Sequence, residues 1–279
     1  MTASESIVPE PPVGSSPPAV QQVGEALESA QQSAQQVAVE QTVPGSVALW
    51  RGRGAVAAAA AAFAGFLAIF LLVQAKRTAA LDTAVTMKLQ ARRWPLLSQA
   101  MKGASWVGFP PQSRIIPPAM IGSLWALNFR LEALYQLAGW ATALISTVVK
   151  RFMKRPRPVA GRDIRVAAAR LGGTSFPSGH TITYVGTYGA AAYLAHSLIK
   201  PAGPRRLVVG VLTALVALVG PSRIYQGHHW ATDVSASYML GFSYLLGITA
   251  LYRHFKERLV RGERVAGIEE PRVTVRPGR

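Results

Sequence analysis

A run of 22 residues without a charged side chain, Gly54–Ala75, constrains the fold more than any other feature of this sequence. A helix of that length crosses the hydrocarbon core of a bilayer, which is about 30 Å thick. A weaker stretch, Ile115–Phe129, contains two adjacent prolines and is interpreted as a kinked span. Four further charge-free stretches follow: Ala133–Val149, Thr181–Ile199, Leu207–Ser222 and Val234–Tyr252. The sequence therefore predicts an all-α integral membrane bundle of about six transmembrane helices.

Composition agrees with the membrane class. Half of the residues are hydrophobic and only 15% are charged. A soluble protein with long buried helices is the alternative, but several stretches are too long and too uniformly apolar for it. The formal net charge of +17 favours anionic partners. Membrane lipids and phosphates fit better than nucleic acid, because the basic residues fall between apolar segments.

The chain divides into three regions by composition. Residues 1–50 contain no lysine or arginine and are rich in Pro, Ser, Gln and Ala, so we expect a disordered or loosely helical tail. Residues 51–255 form the predicted membrane domain, and residues 256–279 form a basic C-terminal tail. The chain has no cysteine, which excludes disulfides, thiol catalysis and cysteine-ligated zinc.

Three short segments at the edges of the apolar stretches combine residues that bind phosphate with residues that transfer protons. They are KRFMKRPRP (Lys150 to Pro158), PSGH (Pro177 to His180) and SRIYQGHHWATD (Ser222 to Asp233). Two predicted spans separate the loop after Lys150 from the loop before Asp233, so both loops are expected on the same side of the membrane. The three segments can therefore meet in one site.

The residue types suit phosphoryl transfer without a metal. Positive charge stabilises the equatorial oxygens of a transferring phosphoryl group, and an arginine side chain can bind two of those oxygens at once. The backbone amides at the start of the fourth predicted span, residues 178–180, can point unpaired N–H groups at an anion. We expect no metal or other cofactor, and the predicted phosphate-binding residues are Lys150, Arg157, Ser178, Gly179 and Arg223.

Two histidines and an aspartate can divide the proton work. His229 lies four residues before Asp233, about one helical turn, so that the carboxylate can hold one ring nitrogen while the other attacks phosphorus. His180 is then left to protonate the departing oxygen and later to deprotonate the attacking water. His228 falls outside this spacing and is interpreted as structural. Arg151, Lys154 and Arg155 are interpreted as attracting anionic headgroups.

The three segments resemble the motifs of the type 2 phosphatidic acid phosphatase superfamily, membrane lipid phosphatases that share their site with vanadium haloperoxidases. The first motif is a lysine, six residues and Arg-Pro, as at Lys150 and Arg157-Pro158; the second is PSGH. The third is Ser-Arg, five residues, His, three residues and Asp, and it begins at Ser222. The resemblance implies that His229 is the nucleophile, with Asp233 its partner and His180 the acid.

The predicted function is a metal-independent lipid phosphate or diphosphate phosphatase that works through a phosphohistidine. Candidate substrates are an isoprenyl diphosphate, phosphatidylglycerophosphate and phosphatidic acid. One alternative is a phosphotransferase that uses the same histidine with an acceptor other than water. Another is a non-catalytic lipid-phosphate binder or transporter, which the intact pair of His229 and Asp233 disfavours.

Sidedness is predicted from the basic residues, which are divided almost evenly between the two sides of the predicted spans. Many on the catalytic side lie in the loop after Lys150, where phosphate binding explains several. Discounting these places both termini in the cytoplasm and the site on the extracytoplasmic face, as the resemblance also implies. We expect the plasma (inner) membrane as the location.

Overall fold

The described residues form helices and no strands. A computed structural model describes Glu25, Ser29 and residues 45–92, 94–167 and 171–261. The predicted tails fall largely outside these residues. From residue 45 onward the helices are α1 (Gly45–Gln74), α2 (Ala79–Ala91), α3 (Pro95–Trp106), α4 (Gln112–Ala126), α5 (Arg130–Trp140), α6 (Thr142–Phe152), α7 (Gly179–Leu198), α8 (Ala202–Tyr225) and α9 (Ala231–Val260).

Three helices in the described part of the chain are long and apolar enough to cross a membrane. They contain Arg53–Gln74 of α1, Ala202–Tyr225 of α8 and Ala231–Leu259 of α9, with mean hydropathies of 2.6, 2.0 and 1.4. These helices match the first, fifth and sixth predicted spans. The fold is thus an all-helical membrane fold, whereas the count of six spans and the common face of the loops stay predictions.

The third predicted span, Ala133–Val149, is divided between two helices. Helix α5 ends at Trp140 and α6 begins at Thr142. The Thr142 hydroxyl donates a 2.8 Å hydrogen bond to the Gly139 carbonyl. A side chain that bonds a backbone carbonyl one turn earlier competes with the regular helical pattern and bends the helix. The length of a charge-free stretch does not predict such a break.

Helix α7 occupies the centre of the bundle. It packs against α5, α6, α8 and α9, while α1 packs along α9. Ile182 and Val185 are fully buried, and Tyr184 and Tyr188 pack with Val216 of α8. The first turn of α7 carries the PSGH histidine, so this central packing fixes the histidine's position.

Helix α2 turns its polar face inward. Asp82, Thr86 and Gln90, spaced one turn apart, are buried, whereas Leu81 and Met87 are exposed. The Gln90 side-chain amide donates to the carbonyls of Arg165, at 2.8 Å, and Tyr225, at 3.0 Å. This helix therefore holds the loop before α7 against the end of α8.

A glycine contact between α5 and α7 yields a stability prediction. A Cβ at Gly186 would clash with the Gly139 carbonyl and the Thr142 side chain, whereas a Cβ at Gly247 of α9 meets nothing within 4 Å. Both Ala variants gain the same helix propensity, so their difference isolates the clash. We expect Gly186→Ala to be less stable than Gly247→Ala by about 1–3 kcal/mol. Thermal unfolding in detergent measures this, and equal midpoints would contradict the contact.

Candidate active site

The structure brings the three motif segments together. Lys150 lies in the last turn of α6, and Arg157 lies in the following loop. The Lys150 ammonium and the Arg157 guanidinium both donate to the Thr174 carbonyl, at 3.1 and 3.3 Å. Arg157 also reaches His229, with 3.2 Å between Nη1 and Nε2. A Cβ at Gly179 would lie 4.0 Å from Cε of Lys150. The predicted residues of the first and third motifs thus share one cluster at the start of α7.

His229 is held in a defined tautomer by the loop before α7. Its Nδ1 lies 2.7 Å from the Ser175 carbonyl oxygen. A carbonyl only accepts hydrogen bonds, so Nδ1 carries the proton and Nε2 keeps a lone pair. Burial lowers the pKa of His229 to about 4, although Asp233 opposes the shift. The ring is therefore neutral near pH 7, with an available nucleophilic nitrogen.

Asp233 stands farther from His229 than the spacing suggests. Its Oδ2 is 3.7 Å from Nδ1 of His229, within ion-pair range but beyond a hydrogen bond. Both carboxylate oxygens have other donors: Oδ1 accepts from Arg155 at 2.6 Å, and Oδ2 accepts from the Ser175 hydroxyl and from the Trp230 amide at 2.8 Å. Asp233 therefore acts on His229 through charge and through Ser175, which contacts both residues.

Arg155 and Asp82 belong to the site although sequence reasoning missed them. Arg155 pairs with Asp233 and, at 2.5 Å, with Oδ2 of Asp82 in α2. Arg155 was interpreted only as attracting headgroups, because its position between other cations hides its partners. A signal for Asp82 exists, since a lone carboxylate beside a membrane span is expensive without a function or a partner.

Arg223 is a buried cation whose donors are unused. The residue is 0% exposed, and none of its three guanidinium nitrogens has a hydrogen-bond partner among the described residues. Its Cζ lies 5.0 Å from the Phe109 ring centroid, and the same ring contacts His180 at 4.6 Å. Leaving a buried charge without partners is costly, so this arrangement suits an anion that accepts several hydrogen bonds.

Two further groups have unused nitrogens beside Arg223. Nε of Arg157 and Nε2 of His180 are buried and without hydrogen-bond partners in the described part of the chain. Burial also lowers the pKa of Arg157 from its ordinary value. Together with Arg223 these groups offer donors of the kind that bind phosphate oxygens.

Ser178 departs from one expectation. Its backbone amide is not unpaired, because it donates to the Ser237 hydroxyl at 2.8 Å, and its own hydroxyl oxygen accepts from Thr181 at 2.9 Å. The Ser237 hydroxyl of α9 thus accepts the hydrogen bond from the Ser178 amide, which the sequence predicted to bind an anion. Ser178 can reach an anion only through the proton of its hydroxyl group.

His228 has structural contacts, in line with the prediction. Its Nε2 lies 3.3 Å from the Ala167 carbonyl, and burial lowers its pKa to about 4. The ring also stands 6.4 Å from Phe109, edge to face. His228 therefore links the loop before α7 to the turn that carries His229.

A cavity of about 380 Å³ opens beside the cluster, between α4, α6 and α7. Its lining includes Lys150 and His180, and the other lining side chains are mainly apolar or weakly polar, among them Pro117, Trp140 and Tyr188. Within the described residues, no group of three His, Asp or Glu side chains is arranged to hold a metal. The cavity thus has cationic and apolar side chains in one lining.

Comparisons with known proteins agree with the motifs. Residues 131–257 match the PAP2 superfamily model. Phosphatidylglycerophosphatase B of Bacillus subtilis (strain 168) is 26% identical over 203 residues, which cover 71% of this chain and 95% of that protein.

Two solved structures also align with the chain. The crystal structure of the first transmembrane PAP2 type phosphatidylglycerolphosphate phosphatase, from Bacillus subtilis, aligns with a TM-score of 0.58 and 25% identity, covering 72% of this chain and 96% of that one. Aquifex aeolicus LpxE aligns with a TM-score of 0.45 and 25% identity, covering 61% and 94%. The residues that match the PAP2 superfamily model contain all three motifs and the cluster around His229, so this part of the chain is similar to that superfamily.

Proposed function

We propose that this protein is an integral membrane phosphatase that hydrolyses lipid phosphates or diphosphates through a phosphohistidine on His229. The observation that carries the proposal is the state of His229: its Nδ1–H is committed to the Ser175 carbonyl, and its Nε2 lone pair faces Arg157 beside the unpaired guanidinium of Arg223. A pure binding site needs only the cations. The names of the relatives favour phosphatidylglycerophosphate among the candidate lipids.

The proposed reaction has two in-line steps. Nε2 of His229 attacks phosphorus while the bond to the lipid oxygen breaks, and His180 gives that oxygen a proton. His180 then takes a proton from water, the water oxygen attacks phosphorus, the bond between phosphorus and Nε2 of His229 breaks, and inorganic phosphate leaves. Lys150, Arg157 and Arg223 stabilise the charge on the phosphoryl oxygens in both steps, so the chemistry requires no metal.

The cavity supports a lipid substrate. A phosphate beside Lys150 and His180 leaves the apolar part of the lining, which includes Trp140 and Tyr188, for the lipid's chain. Each methylene transferred from water contributes about 0.8 kcal/mol, so the chain adds binding energy that a soluble ester lacks. The substrate enters from the bilayer, and the membrane is the protein's main partner.

Phosphate release from a panel of matched compounds tests the function. We expect kcat/KM for long-chain phosphatidylglycerophosphate, phosphatidic acid and isoprenyl diphosphate to exceed that for short-chain or soluble analogues by at least about 100-fold. The assay uses purified full-length protein in mixed micelles, with and without excess chelator, and the rates should survive chelation. Equal rates on a soluble sugar phosphate would refute the lipid assignment, and magnesium-restored loss in chelator would refute the metal-free mechanism.

Histidine variants test the division of labour. We expect His229→Ala to lose at least about 10³-fold in kcat and to leave no trapped phosphohistidine. His180→Ala should lose about 10²–10⁴-fold in turnover with an alkyl leaving group, but p-nitrophenyl phosphate should still phosphorylate it, because p-nitrophenolate leaves without a proton. His228→Ala is the matched control and should change kcat by less than about 10-fold. Near-normal turnover in His229→Ala would contradict the assignment of the nucleophile.

We also propose that the site faces the extracytoplasmic side and that both termini are cytoplasmic. The basic residues Lys200, Arg205 and Arg206, at the turn opposite the catalytic segments, follow the excess of positive charge in cytoplasmic loops. A reporter fused after Arg279 should read cytoplasmic, and a tag inserted at the exposed Gly161 should be labelled in intact cells. The opposite pair of results would invert the topology.

A further inference from the structure

A chain of buried ion pairs links α2 to the catalytic aspartate. Asp82 is 1% exposed and Asp233 is 0% exposed, and Arg155 lies between them with 11% of its side chain exposed. Nη2 of Arg155 is 2.5 Å from Oδ2 of Asp82, and Nη1 is 2.6 Å from Oδ1 of Asp233. One guanidinium therefore bridges two carboxylates, each through a separate nitrogen.

Asp82 also contacts α9 directly. Its Oδ1 accepts hydrogen bonds from the Thr232 amide, at 2.9 Å, and from the Thr232 hydroxyl, at 3.0 Å. Thr232 is adjacent to Asp233, and its hydroxyl accepts from Nη1 of Arg155 at 2.8 Å. Thr78, at the start of α2, accepts from Nη2 of Arg155 at 3.1 Å. The position of Asp233 is thus specified from α2 as well as from its own helix.

The buried ion pairs contain one positive charge, on Arg155, and two negative charges, on Asp82 and Asp233. Arg155 alone would neutralise Asp233 and weaken the field of the carboxylate at His229. Asp82 shares the same guanidinium, so the three groups together keep one net negative charge. That charge stabilises a positive ring on His229, which forms when Nε2 is phosphorylated while Nδ1 keeps its proton.

We propose that Asp82 and Arg155 are positioning residues of the reaction: they fix the Asp233 carboxylate beside His229, and the charge on Asp82 preserves the negative field that Asp233 exerts on the nucleophile. This inference rests on the proposed function of His229. Neither residue touches the phosphate. Asp82 lies outside the residues that match the superfamily model, and Arg155 falls between the motif positions Lys150 and Arg157.

A purely structural cross-link between α2 and α9 is the competing explanation. It predicts lower stability on mutation without a change in the ionisation of His229. The charge mechanism predicts a shift of that ionisation with opposite signs at the two positions. The charged and titratable groups that face His229 or its partners from the surrounding elements are Lys150, Arg155, Arg157, His180, Arg223, His228, Asp233 and, through Arg155, Asp82.

The acidic limb of the pH profile of kcat/KM reports the ionisation of His229, because only the neutral ring attacks. Asp82→Asn leaves Arg155 to neutralise Asp233, so we expect the limb to move down by about 0.5–1 pH unit and kcat to fall about 10-fold with little change in KM. Arg155→Met leaves an extra negative charge and should move the limb up by a similar amount. The double variant removes both charges and should return the limb to about the wild-type position, with kcat still low.

Matched controls separate the outcomes. Lys154→Met removes an exposed positive charge next to Arg155 and should leave the profile and kcat unchanged. Arg155→Lys keeps the charge but cannot bridge both carboxylates, so the limb should stay in place while kcat falls. If Arg155→Met fails to fold, Asp82→Asn still gives the direction in which the acidic limb moves, and the double variant still tests whether the limb returns to the wild-type position.

The result that would overturn the proposal is an acidic limb that is unmoved in every variant of Asp82 and Arg155, measured with the same substrate on folded protein. That result leaves the proposed function intact as long as the wild-type protein releases phosphate and His229→Ala does not. Absence of phosphate release from the wild-type protein would instead refute the proposed function itself.

Discussion

The buried carboxylate of Asp233 ties the polar end of this bundle together. It lies in the first turn of α9, where the helix dipole favours negative charge, and it accepts from the amide of Trp230 at the helix start. Burying a carboxylate without partners costs several kcal/mol, so its remaining oxygen positions have to be filled. Arg155 and the Ser175 hydroxyl fill them, and each brings a different segment to α9.

Because Arg155 pairs with Asp233, the cations near the candidate site fall into two groups. Arg155 pairs with protein carboxylates, whereas Arg223 and Nε of Arg157 have no hydrogen-bond partner in the part of the chain that the structure describes. Among the described residues, the Lys150 ammonium donates to the Thr174 carbonyl, and an ammonium group has three N–H donors, so it has capacity for further acceptors. The cations available to an anion are therefore those that the protein's own acids do not neutralise. This division is what the proposed phosphate site requires: a strongly basic cluster that is folded and still has donors for an anion.

The sequence allowed the membrane fold and the motif cluster to be predicted because both depend on local patterns. The charge-free length of Gly54–Ala75 is a direct measure of membrane-crossing capacity, and the motif spacing places His229 one turn before Asp233. The break at Ala141 and the commitment of the Ser178 amide depend on side chains that arrive from one turn away or from another helix. Neither contact can be predicted from the positions of apolar residues along the sequence.

The pairing of Asp82 with Arg155 shows why the catalytic centre is not contained in the residues that match the superfamily model, 131–257. Helix α2 lies before that range, yet its buried face supplies Asp82 to the first turn of α9 and Gln90 to the loop carbonyl of Arg165. These contacts span 150 and 75 positions in sequence, so no motif can contain them. Helix α2 has 13 residues and is not among the described helices that are long and apolar enough to cross a membrane. The polar inner face of α2 is explained by what it contacts, the first turn of α9 and the loop before α7.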